Sequence, residues 1–462
     1  MALSDERTDS LLTRKTEEAW ILTKLGRRGE AWKEVSLLLK EFPDNPDLIQ
    51  LGAMLSFDRG NIGRAKKLTK RLEGLLGDDR RVKELKARWY LEEWKYKRAL
   101  RIYDGLIKER PDNTDYKRDR AEILALLEMW PEAKKAYKGF AGGEVKNRAV
   151  IWDYRKSREE GGVEIIGDMD YFNAPESLRQ HYIREGARFW LNDRARMTLL
   201  GFEEAHRKAT LGATPAIREI IPGHIIKAEY FQNGICKISA DWKASYNDHY
   251  TFHEFGCEWA VDRPDFRTKA GARWNQLVRD PVEGILLRCL KDTYYAGAEL
   301  LILDRIIAGD RFWIERYSVA PSLNTINGKG YLGYKIFNEA YANVIIVPKP
   351  YITFNFTQMC GTWDKTFENA QQVIDFIGDE KIYYFGIQGE DRIGKIATIS
   401  GGFTRTYDSK RKFYSSYSNA AVDLWVNENM KLSFSYEFGL NVQGVFGAGD
   451  IQVWMTKLRI IF

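Results

Sequence analysis

His249, His253 and Glu254 are the residues of this chain that most suggest metal chemistry. Imidazole and carboxylate groups bind zinc and related ions, but they must converge on one point. The neighbouring residues read as a β-strand, in which positions four apart lie about 13 Å from each other at roughly 3.3 Å per residue. No shared metal is expected there. Gly328, Gly330 and Gly333 have the GxGxxG spacing, yet they follow Asn327 in a loop and open a strand. A dinucleotide needs a helix N-terminus at that point, so turn glycines explain the pattern. Cys236, Cys257, Cys289 and Cys360 lack CxxC spacing and are expected to be small apolar fillers. GxSxG, HExxH and P-loop motifs are absent and the chain has only five histidines, so neither an enzyme nor a cofactor is expected.

What the sequence does supply is a polar face of both charge signs. Glu164, Asp168, Asp170 and Asp241 alternate along their segments with apolar residues, as do Arg184, Arg188, Lys237, Lys243, Arg267, Lys269, Arg273, Arg405, Lys457 and Arg459. On the inner wall of a closed barrel such groups line a hydrated path and select what passes. The structural alternative is that they pair with one another across the interior.

The elements that must position them are long strands. In Lys431 to Val442, Leu432, Phe434, Tyr436, Phe438, Leu440 and Val442 share one face, while Lys431, Ser433, Ser435, Glu437 and Asn441 share the other. Cys236 to Asn247 divides in the same way, with Ile238 and Trp242 opposite Lys237, Asp241 and Lys243. About sixteen such strands, within a range of 14 to 18, begin near Val163 and run to Phe462. Each spans ten or more residues, about what a tilted strand needs to cross a bilayer. A soluble sandwich would turn the same apolar face inward; strand length, aromatic richness and the terminal Phe462 favour a membrane barrel. The mean hydropathy of −0.44 excludes a long apolar helix but not such a barrel, whose lumen residues dilute the average. Short turns such as Gln232-Asn233-Gly234 alternate with longer connections at 205–217, 320–330, 361–381 and 441–450, and Trp363 in the third of these is a lid candidate.

In front of the strands, Ala31, Ala65, Ala99 and Ala133 recur every 34 residues. Val35, Thr69, Tyr103 and Tyr137 lie four residues on, and Leu38, Leu72, Leu106 and Phe140 three beyond. This i, i+4, i+7 set lines one face of a helix, and the small alanine marks where two helices of a repeat approach. Gly26 and Gly60 suit the turn between them, whereas Trp94 and Glu128 stand there in the last two repeats. Residues 1–150 hold 33 Lys and Arg against 26 Asp and Glu, so the basic excess of the chain sits on these helices, as a solvated face or a surface for an acidic partner.

The 34-residue period resembles tetratricopeptide repeats over about residues 15–145. Two domains are expected: a periplasmic helical repeat domain at 1–155 and an antiparallel outer-membrane β-barrel at 156–462. Repeats of this kind joined to a barrel ending in Phe462 resemble the exopolysaccharide export porins for Pel, poly-N-acetylglucosamine and cellulose. That resemblance implies an exopolysaccharide chain as cargo, outer-membrane lipid around the barrel, and a periplasmic modifying enzyme or an inner-membrane synthase complex as partner; no nucleic acid is implied. Only about four repeats are visible, fewer than in such exporters, which fits a fragment or a reduced relative. Surface lipoprotein assembly modifiers have the same order of parts, and a non-transporting adhesin or phage receptor is a third reading. Met1 to Ser10 carry no basic-then-apolar leader, so the chain is either a processed form or not exported.

Overall fold

The computed structural model describes residues 2–141, 148–174, 178–208, 217–232, 236–247, 250–263, 265–277, 289–302, 305–319, 331–348, 350–365, 379–410, 412–443 and 448–462. Among them nine helices precede sixteen strands. The helices are α1 Ala2–Lys24, α2 Arg28–Glu41, α3 Pro46–Asp58, α4 Ile62–Leu76, α5 Arg80–Glu92, α6 Tyr96–Glu109, α7 Thr114–Leu126, α8 Trp130–Ala141 and α9 Arg148–Gly161. The strands are β1 Glu164–Ala174, β2 Leu178–Trp190, β3 Ala195–Lys208, β4 Ile217–Gln232, β5 Cys236–Asn247, β6 Tyr250–Asp262, β7 Phe266–Leu277 and β8 Cys289–Ile302. They continue as β9 Ile306–Val319, β10 Tyr331–Pro348, β11 Tyr351–Lys365, β12 Glu380–Ile393, β13 Ala397–Asp408, β14 Phe413–Trp425, β15 Met430–Gln443 and β16 Ala448–Ile461.

The chain divides into one unit of Met1–Leu127 with Lys135–Gly142 and a second of Glu128–Lys134 with Gly143–Phe462. The expected boundary at 155 falls inside α9, which belongs with the barrel.

In the first unit the helices form a tetratricopeptide-like solenoid. Ala31, Ala65 and Ala99 are fully buried in the second helix of their repeats, with Val35, Thr69 and Tyr103 buried one turn on; Ala133, which falls in the second unit, and Tyr137 are buried too. The side chain of Phe140 lies outside the described residues. A second 34-residue series emerges only in the structure: Asn45, Asp79 and Asn113 cap α3, α5 and α7, each side chain accepting hydrogen bonds from the first-turn backbone. A third is conformational. Gly26, Gly60, Trp94 and Glu128 all have positive φ, at 77°, 70°, 58° and 52°. The turn between the two helices of each repeat therefore requires the left-handed region, whichever residue stands there. Glycine adopts it freely, while a residue with a Cβ is held there at a cost of about 1–2 kcal/mol.

In the second unit the sixteen strands close into one antiparallel barrel, every strand pairing with its sequence neighbours and β1 pairing with β16. Closure leaves no open edge, as a barrel in hydrocarbon requires. Alternation then assigns every side chain a face. Leu432, Phe434, Tyr436, Phe438 and Leu440 point outward with Ile238 and Trp242, as their period predicts. Ile183, Phe255, Phe354, Ile387 and Phe434 are each 43–48% exposed on that outer face. So large an apolar belt on a closed sheet is a lipid-facing surface. On the inner wall, glycines make room for rings from the next strand: a Cβ on Gly223 would lie 2.3 Å from the Phe202 ring, and one on Gly309 2.4 Å from that of Tyr341.

Burial pushes the Glu128 carboxyl up to about 7. A raised folded-state value means that ionisation opposes folding, so stability falls as pH rises from the unfolded value of roughly 4.3 through 7 and stays lower above it. Glu128→Gly removes both the left-handed strain and this penalty. It is expected to stabilise the chain by about 1 kcal/mol at pH 4 and by a further 1–2 kcal/mol at pH 8. Denaturant melts followed by helical circular dichroism at the two pH values measure this; an equal effect at both would show that the carboxyl plays no part.

Candidate functional site

The inner wall of the barrel holds the polar groups that the sequence singles out. On β1 the charged inward residues are Glu164, Asp168 and Asp170, and on β2 Arg184 and Arg188 stand opposite Asp168 and Glu164. Arg188 pairs with Glu164 at 2.6 Å and Arg184 with Asp168 at 3.2 Å. Across the closing seam, Arg459 of β16 pairs with Glu164 at 3.0 Å and also with Asp168, while Lys457 lies opposite Asp168 in register. Around the wall, Lys243 pairs with Glu204 at 2.8 Å and Arg273 with Asp241 at 3.1 Å. Arg267 pairs with Asp262 at 2.8 Å and with Glu299 at 3.2 Å. Lys237 is 3.9 Å from Glu229, and Lys269 stands 5.8 Å from the Tyr295 ring centre.

Two expectations are corrected. Arg405 is exposed on the outer face of β13, between Phe403 and Tyr407, with its guanidinium over the Tyr414 ring. It borders no lumen: the alternation of β13 puts Thr404 and Thr406 inside, and an arginine outside near a barrel rim reaches the polar headgroup zone. Trp363 is part of β11, in register with Lys335, because that strand runs on to Lys365 instead of ending at 361. The segment 366–378 lies outside the described residues, as do His249, Gly328 and Gly330. His253 faces outward and stacks on Trp242, and among the described residues no His, Cys, Asp and Glu group can hold a metal.

The inward charges are unevenly distributed. From β1 through β10 they recur on every strand, including Arg196, Glu229, Lys291, Glu315, Arg311 and Glu339, which the sequence reading did not single out. Arg196 pairs with Glu229 and Lys291 with Glu315. Tyr295 and Tyr341 add hydroxyls that donate to Glu258 and Glu299. From β11 through β14 the wall changes character. Between the rims its described inward residues are uncharged, with Thr353, Asn355 and Thr357 on β11 and Tyr384 and Gln388 on β12. Ser400, Thr404 and Thr406 follow on β13, then Ser415, Tyr417 and Asn419 on β14. Charge returns only towards the ends of these strands, at Glu390, Arg392, Asp408 and Asp423.

The mouth at which β1 begins and β16 ends is occupied by α9. The Trp190 indole donates to the Glu160 carbonyl at 2.7 Å, and Arg188 to the Glu159 carbonyl at 3.1 Å. The Glu160 carboxylate pairs with Arg196 at 2.7 Å and that of Glu159 with Lys431 at 3.2 Å. Towards the other end of α9, Arg155 lies over the Trp425 ring and Arg392 over that of Trp152. Arg188, Trp190, Arg196, Lys431, Trp425 and Arg392 all project inward, so α9 lies within the rim and narrows it. Burial raises the Asp153 carboxyl above its ordinary range on this helix. Nothing in the local sequence announced the role, because a polar 14-residue helix reads equally as a ninth solenoid helix.

No known family matches the sequence, and no curated protein matches it. Among solved structures the chain is similar to a bacterial polysaccharide outer membrane secretin, at 9% identity over 65% of this chain and 98% of that one, with a TM-score of 0.48. It is also similar to a loop-deletion mutant of OmpT, an outer membrane protein of Vibrio cholerae, at 11% identity over 65% and 98%, with a TM-score of 0.34. The helical part is similar to a tetratricopeptide repeat protein from Parabacteroides merdae, at 17% identity over 32% of this chain and 61% of that one, with a TM-score of 0.29.

Loosening α9 tests its place in the rim. Glu159→Ala with Glu160→Ala removes the carboxylates that bind Lys431 and Arg196 and is expected to raise single-channel conductance severalfold in planar bilayers. Unchanged conductance and unchanged blocking by large osmolytes would show that the helix does not narrow the path.

Proposed function

We propose that this protein is an outer-membrane porin that exports an exopolysaccharide. The repeats stand on the periplasmic side, and the barrel conducts the polymer outward. The observation that carries this reading is the inner wall: rich in charged, hydroxyl and amide side chains, inside a closed barrel whose outer face is apolar. A polymer that must enter and leave needs many weak, exchangeable contacts, and such a wall offers them in place of one tight site. The solenoid adds a surface for a partner, since stacked helical pairs present an extended face for recognition. Its basic excess suits an acidic partner surface, such as that of a modifying enzyme or a synthase complex.

Two measurements test the proposal. Cells lacking the protein are expected to retain extracellular polymer in the periplasm, and expression of the intact chain to restore secretion. Equal polymer outside the cell with and without the protein would overturn the reading. In planar bilayers, charge reversal at Arg267, Lys269 and Arg273 is expected to shift the reversal potential towards cation selectivity. A barrel that stays closed in every variant, including one with α9 loosened, would favour an anchored receptor.

A further inference from the structure

The two arcs of the inner wall do different work. The charges of β1–β10 largely neutralise each other: Glu164, Glu204, Asp241, Glu299, Glu315 and Glu339 each have a cationic partner within 3.4 Å. A wall of paired ions is stiff and exerts little net field at a distance. The β11–β14 arc is lined instead by hydroxyls, amides and tyrosines. It also contains a recess of about 290 Å³ lined by Tyr384, Thr404, Tyr417, Asn419 and Glu437. Gly402 forms part of its floor, and a Cβ there would come within 2.8 Å of Gln388, so the recess is kept open by the missing side chain.

Resting on the export reading, we propose that the β11–β14 arc is the track of the polymer and that the polymer is a neutral, hydroxyl-rich glycan. Threonine and serine hydroxyls and the Asn419 amide both donate and accept, matching sugar hydroxyls that do the same. The rings of Tyr384 and Tyr417 offer apolar faces to the C–H faces of a pyranose. They stand on β12 and β14, two strands apart, or about 10 Å at the usual strand spacing. That is the scale of two linked sugar rings. A uronate polymer would be repelled by Glu437 of β15 at the recess, and an amino-sugar polymer would need a counter-charge at every unit, whereas the described inward residues in the middle of β11–β14 carry none. At the terminal mouth, Trp152 and Trp425 lie by the ends of β12 and β14, where an incoming chain would first meet aromatic faces.

The test is block of single-channel current by a neutral β-linked gluco-oligosaccharide, compared with an oligoglucuronate and an oligoglucosamine of equal length. It is run on the intact protein and on the Glu159→Ala/Glu160→Ala variant, so that a narrowed mouth does not mute the readout. The neutral oligomer is expected to interrupt the current. Tyr384→Ala with Tyr417→Ala is expected to shorten the residence time about tenfold, and the nearly isosteric Thr404→Val to shorten it by less. Arg405→Gln, on the outer face, should leave it unchanged. Heat-modifiable migration on gels confirms that each variant is folded. Stronger block by a charged oligomer that follows the Arg267 and Arg273 variants would overturn the neutral track while leaving export intact. A conducting pore that no oligosaccharide interrupts would overturn the export reading with it.

Discussion

In hydrocarbon an unpaired backbone N–H or C=O costs several kcal/mol, and this constraint shapes the second unit of the molecule. Sixteen strands satisfy it only if the last meets the first. The β1–β16 register, with Glu164 opposite Ile461 and Asp168 opposite Lys457, is therefore the joint on which closure depends. It is also ion-paired: Arg459 binds Glu164 and Asp168, and Arg188 and Arg184 bind the same two carboxylates from the other side. Two buried carboxylates thus tie three strands together from the lumen. A one-residue slip here would turn Glu164 and Asp168 towards lipid and Ile165 and Met169 towards water, so lipid itself fixes the register.

The same demand explains what was legible in the sequence. Lipid requires one face of every strand to be apolar, and the Leu432 to Leu440 and Ile238 to Tyr246 series follow that rule closely enough to orient their charged neighbours. Where a strand nears its rim the requirement relaxes, and polarity ceases to report the face. Arg405 departs from the lumen expectation for this reason: a charged residue near the end of β13 is tolerated outside. Trp363 lies in a strand where the sequence suggests a loop, because nothing in Met359 to Lys365 marks where pairing with β10 ends. Arg196, Glu229 and Glu315 belong to the inner series at two-residue spacing from residues that were found, and counting outward along the same strands would have reached them.

The repeats were legible for a different reason. A small residue at the helix crossing is a packing necessity, so the 34-residue alanine column survives in all four repeats. The turn column keeps its backbone and not its residue type: Gly26, Gly60, Trp94 and Glu128 share one left-handed conformation. Steric demand at a crossing is absolute, whereas a strained φ costs about 1–2 kcal/mol and can be offset elsewhere. A period should accordingly be sought first in packed columns and only then in turns. The Asn45, Asp79 and Asn113 caps lie between, since several residue types serve as caps and blur the column.

The part hidden from local sequence is α9, because its meaning lies in partners on strands far along the chain. Arg188, Arg196 and Lys431 crowd one stretch of the terminal rim, and each also has a carboxylate of the barrel beside it, in Glu164, Glu229 and Asp423. Glu159 and Glu160 supply the carboxylates that Lys431 and Arg196 bind as second partners. With α9 in place, the rim cations are held by both the wall and the helix. With it displaced, Arg196 and Lys431 each lose one of their two carboxylate partners, and the rim becomes more cationic by the charges of Glu159 and Glu160. A cationic rim under a helix that both narrows the passage and neutralises it links two properties of the mouth to one element. Passage width and ion preference must then change together, which a loop lying loosely across the opening would not require.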